Sequence, residues 1–139
     1  MNINANELRI GNYVFEKITN IFCEVTSINH EGNLRLFCNG GSVGANVDEV
    51  APIPLTEEIL LKFGGKPLEN GFWISVYNLK AELHFEVFNN TSEIVTTIKS
   101  QFSDLILDRI KYVHQLQNLY FALTNIELQI KLNHEKRNS

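Results

Sequence analysis

Between residues 112 and 124 the apolar positions Val113, Leu116, Leu119, Tyr120 and Leu123 recur at spacings of three and four, which lines one face of a helix. His114, Gln115, Gln117, Asn118 and Thr124 are polar without formal charge, and most of them fall on the other face. The next seven residues, Ile126-Glu127-Leu128-Gln129-Ile130-Lys131-Leu132, alternate strictly between apolar and polar, the pattern of a half-buried strand. These two patterns predict an anchor helix over about 113–123 feeding a final strand over about 126–132, at the centre of a small α+β core.

Earlier in the chain the apolar runs are short and separated by glycine and asparagine. Leu8-Arg9-Ile10-Gly11-Asn12-Tyr13-Val14-Phe15 opens the fold, with Gly11-Asn12 as a bend or bulge. Phe22 to Ile28 and Leu34 to Cys38 follow as strands around a turn at residues 29–33, and Asn39-Gly40-Gly41-Ser42 makes a second turn before a short closing strand at Val47-Asp48-Glu49-Val50. Several short strands within about 50 residues predict a small closed SH3-like barrel, since closure removes exposed strand edges.

Ala51-Pro52-Ile53-Pro54 is a stiff connector, so the chain divides into an SH3-like barrel at 1–54 and an α+β part at 55–139. Thr56 caps a helix over about 56–63, Glu57 and Glu58 favour its N-terminal dipole, and Gly64-Gly65 ends it. Strands are predicted across about 72–98, among them Phe72 to Tyr77 and Lys80 to Phe88. Asp104 to Ile110 reads as a strand leading into the anchor helix, or alternatively as an earlier helix that breaks near Lys111. The fold class is thus α+β: an N-terminal SH3-like β-barrel followed by a mostly antiparallel sheet with two helices.

The charge balance narrows the partners. The 139 residues carry a net charge of −4, of which residues 1–54 contribute −3 and the rest −1. Neither part has the basic excess that a phosphate backbone demands, which disfavours duplex DNA. The N-terminal residues lack the charged leader and apolar run of a secretory signal, and no apolar run reaches the roughly 20 residues needed to span a bilayer. Cytoplasmic localisation is the expectation, with Cys23 and Cys38 as reduced, mostly buried thiols.

Candidate chemistry is sparse. Glu82, His84 and Glu86 alternate along one strand, which suits a divalent cation or acid–base work but fits the solvent face of an amphipathic strand better. Asn39 to Gly44 resembles a phosphate loop without its lysine or a following helix. No nucleophilic triad or zinc spacing is present, so the expectation is a non-enzymatic protein without cofactor or metal. His114, Gln115, Gln117 and Asn118 form the candidate recognition surface, because amides on a helix face are directional donors and acceptors. Arg9, Arg35, Trp73, Arg109 and Lys111 are the candidate contacts for a small ligand such as a nucleotide.

Three motifs carry a resemblance: Leu8-Arg9-Ile10-Gly11-Asn12-Tyr13-Val14, then Pro52-Ile53-Pro54-Leu55-Thr56-Glu57-Glu58-Ile59-Leu60-Leu61-Lys62-Phe63-Gly64, then Lys111-Tyr112-Val113-His114-Gln115-Leu116-Gln117-Asn118-Leu119-Tyr120-Phe121-Ala122-Leu123-Thr124. Together they resemble a family of small uncharacterised proteins encoded by phages, prophages and mobile elements of Bacteroidetes. The chain departs from that family at Asn125, where the family commonly has glycine, and at Ile59, where it often has tryptophan. The resemblance implies a genomic setting and no transferable site.

The leading expectation is a protein-interaction module engaging a host or phage protein through the barrel's loops or the polar helix face, with homo-oligomers compatible. The alternatives are a nucleotide-binding sponge in counter-defence and single-stranded nucleic-acid binding through the barrel.

Overall fold

The computed structural model describes residues 3–68, 71–76, 81–88, 93–100, 104–107 and 110–130. Contacts divide the chain into two compact units, Met1–Pro54 with Tyr112–Asn118, and Leu55–Lys111 with Leu119–Ser139.

In the first unit a one-turn 3-10 helix, Ala5–Glu7, is capped by the Asn4 side chain and precedes five strands. These are β1 (Tyr13–Glu16), β2 (Ile21–Ile28), β3 (Asn33–Cys38), β4 (Gly41–Asn46) and β5 (Val50–Ala51). They form one antiparallel sheet in the order β4-β3-β2-β1-β5. Alternate residues of β3, Leu34 and Leu36, face a core shared with Val14, Cys23, Val25 and Val50, while Asn33, Arg35 and Phe37 are exposed. The β3–β4 hairpin turns on Asn39 and Gly40, both at positive φ (49° and 83°). That two-residue geometry follows the twist of the strands it joins and favours Asn-Gly.

The predicted barrel does not close. β4 and β5 end the ladder on opposite sides and do not pair with each other. A second 3-10 turn, Val47–Glu49, separates them, and β5 is two residues long with its pairs on β1.

Cys23 and Cys38 are also unlike the expectation of reduced thiols: they form a disulfide, with Cα atoms 4.7 Å apart. Glu24 pairs with Phe37 in the β2–β3 ladder, so the next antiparallel step sets Cys23 opposite Cys38. The spacing lies within the range a disulfide bridges. The bond weighs against a cytoplasmic setting, where thiols are ordinarily held reduced.

In the second unit helix α1 (Glu57–Lys62) begins where expected. The Thr56 hydroxyl accepts from the Ile59 amide at 3.2 Å, and Gly64 (φ 90°) ends the helix. Gly65 follows because a Cβ there would lie 2.7 Å from the Leu60 carbonyl oxygen. Strands β6 (Lys66–Leu68), β7 (Gly71–Val76), β8 (Ala81–Phe88), β9 (Glu93–Ser100) and β10 (Asp104–Leu107) form an antiparallel sheet in the order β10-β9-β8-β7-β6. The stretch 104–107 is therefore strand, the first of the two readings, while Ile110 lies outside any strand.

Helix α2, Val113–Thr124, matches the anchor helix and ends at Asn125, whose φ of 59° lets an asparagine stand where glycine is usual. The predicted strand after it is absent from Ile126 to Ile130. Leu128 and Ile130 are buried there, so the alternation reports the burial of one side of an irregular segment. Residues 131 and 132 lie outside the described residues.

Candidate functional site

Of the polar residues that α2 contributes to the first unit, His114 and Gln117 are buried and Gln115 and Asn118 half-buried. Gln117 is 0% exposed and His114 1%. The Gln117 amide accepts from the Tyr13 amide at 2.8 Å through Oε1 and donates to the Gly11 carbonyl at 2.9 Å through Nε2. It thus satisfies the backbone at the bend where β1 begins. Asn118 accepts through Oδ1 from Arg9 Nε at 3.1 Å and from Asn12 Nδ2 at 2.9 Å, and donates to the Glu7 carbonyl at 2.8 Å. Asn12, itself fully buried, accepts from the Arg9 amide. Gln115 accepts from the Tyr112 amide at 3.1 Å, which closes the first turn of its own helix.

The candidate recognition surface His114, Gln115, Gln117 and Asn118 is thereby corrected at His114 and Gln117, which are buried, while Gln115 and Asn118 are half-buried. These side chains recognise this chain's own segment from Glu7 to Tyr13 and the start of α2. The cause is the bend at Gly11 (φ 100°), which leaves the Gly11 carbonyl and the Tyr13 amide to be paired by Gln117.

His114 stacks on Tyr112 (ring centroids 6.1 Å apart, planes 14° from parallel) and holds Nε2 3.3 Å from Glu7 Oε1. A carboxylate can only accept, so Nε2 carries the proton of the neutral ring. Nδ1 is buried without a hydrogen-bond partner among the described residues. Burial pushes the imidazole pKa down, and the hydrogen bond and charge of Glu7 oppose that only in part.

A folded-state pKa below the unfolded value means that unfolding takes up a proton as pH falls through about 6.5. The contribution of His114 is therefore complete above that pH and is lost progressively below it. Melting curves between pH 7 and pH 5 are expected to show the wild type losing stability relative to His114→Gln. Parallel curves for the two proteins would refute the assignment.

Among the candidate ligand contacts, Arg9 and Arg35 belong to the first unit and Trp73 and Lys111 to the second. Arg9 is engaged with Asn118 and with the Gln117 carbonyl. Arg35 lies in β3, with Nη1 beside Gly44 of β4. Lys111 is exposed in the second unit. Trp73 sits in β7 opposite His84 in register, and Arg109 lies outside the described residues. Glu82, His84 and Glu86 all lie in β8, opposite Ser75, Trp73 and Gly71. Among the described residues no group of His, Cys, Asp and Glu is gathered to hold a metal ion, and no helix is long and apolar enough to cross a membrane.

Among the described residues of the first unit are open depressions of about 480 Å³. One is bordered by the carboxylates of Glu7, Glu31 and Asp48, which would repel a phosphate. Another brings Arg35 together with Asn33, Asn46 and Glu49.

The feature that sequence reasoning missed is the loop between β1 and β2. Glu16 accepts through Oε1 from the Ile18 amide at 2.8 Å and through Oε2 from the Thr19 amide at 2.9 Å and the Thr19 hydroxyl. These bonds hold its carboxyl below the usual carboxylate range, the Thr19 hydroxyl contributing most. The Asn20 amide donates to the Glu16 carbonyl at 2.7 Å, the Lys17 amide to the Glu49 carbonyl at 2.9 Å, and Lys17 Nζ to the Asp48 carbonyl at 2.8 Å. At the tip of this braced loop Ile18 is 84% exposed. The available signal was one isoleucine among the polar residues Glu16-Lys17-Ile18-Thr19-Asn20.

Compared with known proteins, the chain matches no family model, no curated protein and no solved structure.

Proposed function

We propose that this chain is a non-enzymatic binding protein, a protein-interaction module that engages a host or phage protein through the β1–β2 loop. The observation that carries this reading is Ile18, 84% exposed on a loop braced from both sides. An apolar side chain held out by an ordered loop loses little conformational freedom on docking. Burying it in a partner's apolar socket is worth about 2 kcal/mol.

The strand order, with a 3-10 turn delivering β5 to β1, supports reading the first unit as an SH3-like module. The three motifs near Leu8, Pro52 and Lys111 support a role in a phage or mobile element. Quantitative capture from a host extract compares wild type with Ile18→Ser. The variant should melt at the wild-type temperature and lose captured partner by about tenfold or more. Equal capture by both proteins would remove the loop from the function.

A further inference from the structure

Among the described residues β4 pairs with β3 alone, which leaves one edge of the first unit's sheet open. Gly41-Ser42-Val43-Gly44-Ala45-Asn46 is an end strand with neither charge nor proline, the devices by which proteins usually block such an edge. Residues 41–44 are all exposed. The hairpin closes on the pair Cys38 and Gly41, which in a two-residue turn exchanges both backbone bonds. Alternation then turns the backbone N–H and C=O of Ser42 and Gly44 away from β3.

The two faces of this edge are unfinished in complementary ways. Val43 stands opposite Leu36, which is 0% exposed, yet Val43 itself is 45% exposed. The core-facing row thus runs off the end of the sheet. On the other face Phe37, opposite Ser42, is 50% exposed. Arg35 reaches across Gly44, its Nη1 3.6 Å from where a Cβ of that residue would stand.

We propose that β4 pairs antiparallel with β4 of a second copy of this chain, about a two-fold axis through Val43. In this register Ser42 of each copy stands opposite Gly44 of the other, and their outward backbone groups exchange bonds twice by symmetry. Val43 meets its own counterpart in the non-hydrogen-bonded position, with Cα atoms about 4.5 Å apart. The core-facing row then continues from Leu36 through both valines to the second Leu36.

On the opposite face each Arg35 points along a row whose next members are the small residues Gly44 and Ser42, with Phe37 of the other copy beyond them. That places an aromatic face in the path of the guanidinium for a cation–π contact. The patch is self-complementary, as a two-fold interface requires, and the uncharged strand brings no like charges face to face. This pairing does not depend on Ile18, so either reading can fail without the other.

Sedimentation of the full chain across a concentration series tests the pairing, together with three variants. Wild type is expected to shift toward twice the 15.9 kDa chain mass as concentration rises. Val43→Lys, which sets two ammonium groups at the axis, should weaken association by at least about tenfold while keeping the monomer's melting temperature. Gly44→Pro removes an outward donor on an edge strand that tolerates proline and should do the same. Val43→Cys should give a covalent dimer on mild oxidation where Ala45→Cys, displaced from the axis, does not. A monomer at every concentration, a Val43→Lys dimer of wild-type strength, or equal cross-linking by the two cysteine variants would overturn the proposal.

Discussion

Replacing Gln117 with alanine is expected to destabilise the first unit by about 2–4 kcal/mol, although the residue belongs to a face that its sequence marks as polar. The Gln117 side chain is the partner of both the Tyr13 amide and the Gly11 carbonyl. Truncation leaves both backbone groups facing a buried space, at about 1–3 kcal/mol for each group left unsatisfied. Gln117→Glu separates the two contributions. It keeps an acceptor for Tyr13, loses the donor to Gly11 and buries a charge, and so should be at least as damaging as alanine. Urea unfolding followed by circular dichroism gives the magnitude, and amide exchange at Tyr13 locates it. A Gln117→Ala protein within about 0.5 kcal/mol of wild type, the range of an ordinary surface change, would show that these bonds hold nothing together.

Reducing the Cys23–Cys38 bond is expected to lower stability by about 2–3 kcal/mol, through the freedom regained by the unfolded chain. The cysteines are 15 residues apart, a loop for which closure is worth about 3 kcal/mol in the chain-entropy account. The β2–β3 hairpin inside that loop is local and recovers some of its contacts early, which sets the expectation at or below the full figure. Cys38→Ser should reproduce the loss and make the protein indifferent to reductant. Thiol titration in denaturant should find no reactive group before reduction and two afterwards. Two reactive thiols in the untreated protein, with unfolding unaffected by reductant, would restore the expectation of reduced cysteines.

Both results bear on how far the sequence can be read. Helix α1 was legible because its signals are local. Thr56 caps, the glutamates follow, and Gly64 takes the left-handed turn, each a property of one or two residues. The Asn39-Gly40 turn and the apolar period of α2 were legible for the same reason. The braced loop was not, because Lys17 ties it to the Asp48 and Glu49 carbonyls, more than 30 residues on. The polar cluster beneath α2 was half legible. The amides were conspicuous, but their partners Gly11 and Tyr13 lie more than 100 residues earlier in the chain.

The sequence by itself determined the class of the protein, most of its strands and both helices, and the alternation of burial along Leu128 and Ile130. Periodicity and capping are properties of a chain relative to its own axis. Only the tertiary structure decided what each face meets. An amide facing water and an amide facing a buried carbonyl are written with the same letter, and only the bend at Gly11 made Gln117 a partner of backbone. The registry of β2 against β3 joined two cysteines that sequence spacing could not bring together, and the route of Val47–Glu49 carried β5 to β1 and left β4 at an open edge. Hydrogen-bond pairing and registry are relations between distant segments, and no local pattern encodes the second member of the pair.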